Sequence, residues 1–261
     1  MSAVGRSIGS PFRALPEDRF TLQKGIPTFH PESAEEAATF FRLASGSGQN
    51  IFITGFGNNV DPEGARFTNV IALRTDRLNR LGTVSGEGLR VEVGSGYPLR
   101  EINQKLAHRG LFFPLGDLPY VGSVGGAIAV GLSGQRCNPD GSESILPIKK
   151  FVLQLTVATP TGEVKRLGVS GSGNGAQEET ARLYSPSWGL FGLIVSATLR
   201  LAPLSAHSEY SGVTQRKVES GSFLGALREG TAGSSSPDTP QYLSKVRAKL
   251  DPGGILPILF D

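Results

Sequence analysis

Glycines dominate the stretches of this 261-residue chain that point to ligand binding. Between positions 121 and 134, Gly122, Gly125, Gly126 and Gly134 are separated by small or aliphatic side chains, Ser123 and Ala127 among them. Such a run lets successive backbone N–H groups approach one acceptor without a Cβ in the way, which is what a diphosphate needs. The same composition also suits a closely packed helix or strand turn with no ligand. A second glycine-bearing stretch, Thr54, Gly55, Phe56, Gly57, Asn58 and Asn59, follows directly on the apolar triplet Ile51, Phe52 and Ile53. A Rossmann fingerprint would need a glycine at position 60 and a helix starting there, and Val60, Asp61 and Pro62 offer neither. The loop is left as a phosphate-binding turn built on amides, with Asn58 and Asn59 tolerating left-handed backbone, or as an ordinary surface turn.

The secondary structure around these loops is legible in part. Ser33 followed by Glu36 reads as a capping box, and Ala37, Phe40, Phe41 and Ala44 give a helix one apolar face before Gly46 and Gly48 stop it. Residues 51–53 and 70–73 are short buried strands, and 81–84 with 89–93 suggest a hairpin. Pro98 opens a helix with Leu99, Ile102 and Leu106 on one side and Gly110 at its end, so His108 sits as a helix-end residue. The stretch from Leu111 through Pro114 to Asp117 leads into the glycine run. Beyond it, alternation over 151–159, a turn at Gly162 and a return over 163–167 read as an antiparallel hairpin. A short helical stretch around 178–184 follows, then Ser187, Trp188, Gly189 and Gly192 precede a strand over 193–201. Trp188 suits a core or lid aromatic as well as a ligand stacker. Residues 205–240 are polar and rich in glycine and serine, a flexible connection, and Tyr242, Val246 and Leu250 mark a short helix before Asp251 and Pro252.

Composition narrows the function classes. Hydrophobic content is 38% with no apolar run of about 18 residues, so no membrane span is expected. Glycine is high at 35 residues, without a collagen period, which places the excess in turns and backbone-contact loops. One cysteine excludes an internal disulfide, and three scattered histidines give no metal-ligand spacing, so no metal is expected. The net charge of +3 is mild and its basic residues are dispersed, against nucleic acid as a partner. The expected compartment is cytoplasmic; the acid-free start bearing Arg6 and Arg13 leaves an organelle transit peptide as the alternative.

Taken in order, the motifs over residues 27–204 resemble the FAD-binding (PCMH-type) domain of the vanillyl-alcohol oxidase and p-cresol methylhydroxylase superfamily, FAD-linked oxidases that include D-lactate and glycolate oxidase subunits. The residues that carry the resemblance are Thr54 to Asn59, Leu111 to Pro114, Gly122 to Ala129, Gly162, and Ser187 to Ile194 with Gly189 and Gly192. Lys249 to Leu256 is similar to the family's terminal segment that returns to the flavin domain. The resemblance implies an α+β fold of two subdomains, a small sheet with helices and a second mixed or antiparallel sheet, with FAD extended between them. It divides the chain into a loose start (1–26), the flavin domain (27–204), a connection or remnant cap (205–240) and the returning segment (241–261).

The chain departs from the family pattern at several points. The family's cap domain has no counterpart of its size between Pro203 and the terminal motif, and Thr54 stands where an arginine is usual. The asparagine expected near Gly131 is absent, and Asn138 to Gly141 replaces the usual Tyr-Gly. Leu256, Pro257 and Ile258 replace a terminal Asn-Pro-Gly. Asn58 and Asn59 occupy the place of the histidine that carries a covalent bond in some relatives, and Cys137 lies off the usual cysteine position, so FAD is expected noncovalent. The implied activity is FAD-dependent oxidation of a 2-hydroxy acid or other alcohol by hydride transfer to flavin N5, on a small-molecule substrate, alone or as one subunit of a larger dehydrogenase. The alternatives are a noncatalytic flavin-binding or electron-transfer subunit covered by a partner chain, and an interaction module that has lost FAD. Asp117 falls near the expected ring edge, where it suits a base, or caps the turn before the glycine run.

Overall fold

The computed structural model describes residues 10–57, 69–85, 89–138, 140–168, 180–181, 183–187, 189–216 and 239–256. Its first sheet is mixed. β1 (Phe20–Gln23) and β2 (Ile26–Phe29) form an antiparallel hairpin whose turn holds Lys24 and Gly25 at positive φ. The helix α1 (Ala34–Ser47) crosses to β3 (Asn50–Thr54), and β4 (Val70–Arg74) lies parallel between β2 and β3.

α1 forms where the capping signal placed it. Ser33 Oγ accepts the Glu36 amide at 3.1 Å. The reciprocal bond goes one residue further upstream than a standard box, with Glu36 Oε2 accepting the Glu32 amide at 2.8 Å. Gly48, left-handed, ends the helix. The apolar face is fully buried, and Phe40 stacks on Phe29 with ring centroids 4.7 Å apart. Phe12, Leu15 and Phe20 close over the same core, so the stretch read as a loose start is structured from Ser10 onward. These side chains lack a single period because two short 3-10 turns and a two-residue hairpin turn interrupt them.

The remaining strands are β5 (Arg90–Gly94), β6 (Leu111–Phe112), β7 (Ser133–Cys137), β8 (Glu143–Pro147), β9 (Val152–Ala158), β10 (Val164–Gly168), β11 (Leu193–Arg200), β12 (Ala202–Pro203) and β13 (Thr214–Gln215). β10-β9-β11-β5 is an antiparallel sheet. The hairpin expected over 81–93 is reduced to isolated bridges, Leu81 to Val93 and Ser85 to Arg90. β5 takes its continuous ladder from β11 instead, which buries Val91 and Val93.

Two cores result. One gathers α1, the first sheet, Ala158, Leu193 and Val195, with Ile255 and Leu256 of the terminal segment. The other gathers Leu155, Val157, Ile194, Ala197 and Leu199 with α2 (Ile102–Leu106) and α3 (Val124–Ala129). Successive residues of β9 and β11 thus serve opposite faces, as strand geometry requires, and the antiparallel sheet stands between the two cores. The architecture is α+β.

The connection read as flexible begins with structure: α4 (His207–Tyr210) and then β13, which adds to β7 and β8. Residues 217–238 lie outside the described part, as do Trp188 and positions 178, 179 and 182 of the helical stretch expected at 178–184, where Thr180 and Ala181 are helical and 183–186 form turns. α5 (Thr239–Leu250) follows, and Val246 and Leu250 pack on the second core. Among the described residues no helix is long and apolar enough to cross a membrane.

Candidate functional site

The parallel pair β3 and β4 sets the site. Thr54 pairs with Arg74, so Gly55 and Thr75 leave the sheet side by side at its carboxyl edge. Open sheets with parallel strands present ligands at that edge. The β4 end is held from behind: His30 Nδ1 lies 2.7 Å from Asp76 Oδ1, Thr21 Oγ1 lies 2.8 Å from His30 Nε2, and Arg74 Nε lies 3.1 Å from Asp76 Oδ2.

The glycine run meets this edge from the other core. It is the entry to α3, with Ser123 Oγ accepting the Gly126 amide at 3.1 Å as the cap. A Cβ on Gly55 would sit 3.0 Å from Ser123 Oγ and 4.0 Å from Thr75 Oγ1, so the two loops abut. The third turn, Gly189 to Gly192, closes over Ile53, and Tyr184 donates its hydroxyl to Phe191 O at 3.0 Å to fix it. Burial pushes the Tyr184 phenol up and keeps it a donor.

Between the three turns lies a cavity of about 230 Å³. Thr54, Gly55, Phe56 and Gly57 line it from the first loop, Gly122, Ser123, Gly125 and Gly126 from the second, and Gly189, Gly192 and Ile194 from the third. Asn58 and Asn59 lie outside the described residues. The remaining expected positions are off the cavity, each for a visible reason. Ala127 is on the inner face of α3, fully buried in the second core. Gly134 is covered by Val213 and Leu115. Pro114 is buried beside Phe113 and Leu115. Asp117 is exposed and off the cavity, with Oδ2 3.4 Å from His207 Nε2, and it caps no turn among the described residues.

The glycine run also differs from a bare row of free amides. Val124 N donates to Tyr97 O at 2.9 Å, Gly125 N to Ser95 O at 2.8 Å, and Gly126 N to Ser123 Oγ. The amides of Gly122 and Ser123 make no hydrogen bond among the described residues, and neither do those of Gly55, Phe56 and Gly57. The cradle is therefore split between two loops.

Sequence reasoning missed Thr75 and Tyr120, both on the cavity wall. Thr75 is 5% exposed and its Oγ1 is buried without a hydrogen-bond partner. Its signal was its place directly after β4, invisible until β4 is known to pair with β3. Tyr120 overlies the glycines, its ring against the space a Cβ on Gly122 would fill. Burial pushes its phenol up to about 12, so it stays protonated at neutral pH. Among the described residues the cavity has no lysine, arginine, aspartate, glutamate or histidine in its wall. Its donors are unbonded amides and hydroxyls, a set suited to a diphosphate. The volume is below the roughly 300–1,000 Å³ of a site that swallows a whole drug-sized ligand, as befits a slot for part of a long nucleotide.

Residues 27–168 match the family described as FAD binding domain. The chain is 28% identical over 201 residues to a mitochondrial D-lactate dehydrogenase [cytochrome] of Arabidopsis thaliana, covering 76% of this chain and 34% of that protein. It is 27% identical over 173 residues to a D-2-hydroxyglutarate dehydrogenase of Xanthomonas citri pv. viticola, covering 66% of this chain and 35% of that protein. It thus spans about a third of the length of these curated relatives. Among solved structures, an alkyldihydroxyacetonephosphate synthase superposes with a TM-score of 0.56 at 18% identity, covering 77% of this chain and 40% of that one, which bears out the fold.

Proposed function

Since the chain belongs to the FAD binding domain family, with FAD as its cofactor, we propose that it is the flavin-holding part of an oxidoreductase acting on a 2-hydroxy acid or another small alcohol. The observation that carries the reading is the cavity where two glycine loops with unbonded amides abut beside an unpartnered buried hydroxyl. The relatives named as D-lactate and D-2-hydroxyglutarate dehydrogenases support the substrate class.

In this reading Gly55, Phe56, Gly57, Gly122 and Ser123 hold the diphosphate of FAD by their amides, and Gly189, Gly192 and Ile194 form the opposite wall. Asn58 and Asn59 belong to the same loop. FAD is held noncovalently. When bound, it supplies the acceptor, at N5, for the substrate's hydride. The chain's own residues bind and orient it: the Tyr120 phenol shields the slot from water as a neutral wall, and α3 presents its capped end. In this reading Pro114, Asp117, Ala127 and Gly134, which lie off the cavity wall, hold no part of the diphosphate.

One observation favours a second reading, a flavin-binding subunit whose substrate site is completed by a partner chain. The family match covers the FAD-binding domain alone, and the chain aligns with about a third of each dehydrogenase relative. The purified chain mixed with FAD and desalted should keep the visible flavin bands. Bleaching by D-lactate or D-2-hydroxyglutarate under nitrogen selects the enzyme. Retained flavin that neither acid bleaches selects the subunit. Loss of the bands on desalting removes both readings.

A further inference from the structure

Thr75 has no role in the folded protein that its hydroxyl explains. The residue is 5% exposed, its Oγ1 is buried and makes no hydrogen bond, and it lines the cavity between the glycine loops. A hydroxyl withdrawn from water without a partner costs free energy, so an orphan of this kind signals a partner that arrives from outside. Thr75 leaves β4 beside Gly55, whose missing Cβ would sit 4.0 Å from Thr75 Oγ1 and 3.0 Å from Ser123 Oγ. Ser123 Oγ already accepts the Gly126 amide, which leaves its own hydrogen free to donate. Two hydroxyls from different cores therefore flank one glycine, next to unbonded amides.

We infer that Thr75 is a diphosphate anchor: its hydroxyl donates to a phosphoryl oxygen of the dinucleotide, opposite the Ser123 hydroxyl, in a clamp made of neutral donors. The inference rests on the flavin-binding reading and deepens it. The His30–Asp76–Arg74 cluster behind β4 fixes the backbone on either side of Thr75 and is the support that makes the anchor rigid. With no cation in the described wall, recognition depends on hydrogen-bond geometry, and the hydroxyl of Thr75 is one of the few groups that can supply it.

The test compares wild-type protein with Thr75→Val, which keeps shape and removes the hydroxyl, and Thr75→Ser, which keeps the hydroxyl. Calorimetric titration with FAD, with ADP as a diphosphate probe lacking the flavin, and with riboflavin as a flavin lacking phosphate reads the affinity. Melting of the ligand-free chains reads stability. The expected result for Thr75→Val is a loss of roughly ten- to a hundredfold in affinity for FAD and for ADP, with unchanged riboflavin binding. Its ligand-free melting temperature should be equal to or above wild type, because an unsatisfied buried hydroxyl is gone. Thr75→Ser should keep most of the affinity. Wild-type FAD affinity in Thr75→Val overturns the anchor while leaving the flavin reading standing. An affinity loss with an equal fall in ligand-free stability also overturns it, in favour of a structural role. Failure of the wild-type chain to bind FAD overturns the flavin reading itself.

Discussion

At the scale of single residues, neighbouring glycines of the same run have opposite duties. A Cβ on Gly125 would lie 2.5 Å from Ser95 Cβ, so this glycine lets α3 pack against the residue that follows β5. Gly125→Val should destabilise the protein by about 1–3 kcal/mol through overpacking, measured by denaturant unfolding without FAD. A Cβ on Gly126 would instead meet Tyr120 Oη at 3.0 Å and Ser123 Oγ at 3.3 Å, at the cavity wall. Gly126→Ala forces Tyr120 or the Ser123 cap to give by a few tenths of an ångström and should weaken FAD about tenfold or more in calorimetric titration. A variant that binds FAD like wild type would remove Gly126 from the site. Asp76 gives a pH signature. Burial alone would raise its carboxyl, but the hydrogen bond to His30 and the charges of His30, Arg74 and Arg77 outweigh burial and hold it below the ordinary value. A lowered folded-state value means that the stabilisation is present above about pH 4 and fades as pH falls through the lowered value. Asp76→Asn should be less stable at pH 7 and should lose less on going to pH 3 in urea titrations. Curves that stay parallel would contradict this.

At the scale of elements, the terminal segment is tied to the strand that launches the first loop. Asp251, 3% exposed, accepts the amides of Ile255 at 3.1 Å and Leu256 at 2.9 Å, and Ile51 N donates to Ile255 O at 2.8 Å. Asp251→Ala strands both amides, and should cost about 2–3 kcal/mol in denaturant unfolding. A cost under about 0.5 kcal/mol would mean that the turn holds without its cap. α1 was readable because its cap, apolar face and left-handed stop are all local. So was the β9–β10 hairpin, with its alternation and Gly162. The pairing of β5 with β11 and of β4 with β3 was not, because strand partners far apart in sequence leave no local mark. That blindness reached the site: Gly55 and Ser123 were legible as loop residues, whereas Thr75 becomes a neighbour of Gly55 only through the β3–β4 register. The amides of Gly125 and Gly126 looked free in the sequence because their acceptors, Ser95 O and Ser123 Oγ, are supplied by folding.

At the scale of the whole molecule, two cores on either side of one antiparallel sheet bring three turns to a common slot. That arrangement suits a cofactor too long for either core alone, and it places no requirement for a covalent link. Acid precipitation of the FAD-loaded chain should therefore release all flavin to the supernatant, and yellow colour retained in the pellet would contradict noncovalent attachment. Everything functional in the fold converges on that slot. In a crystal structure of the chain with FAD, diphosphate oxygens should lie within hydrogen-bond distance of the amides of Gly55, Phe56, Gly57, Gly122 and Ser123. FAD density elsewhere on the protein, with that slot left to solvent, would contradict it.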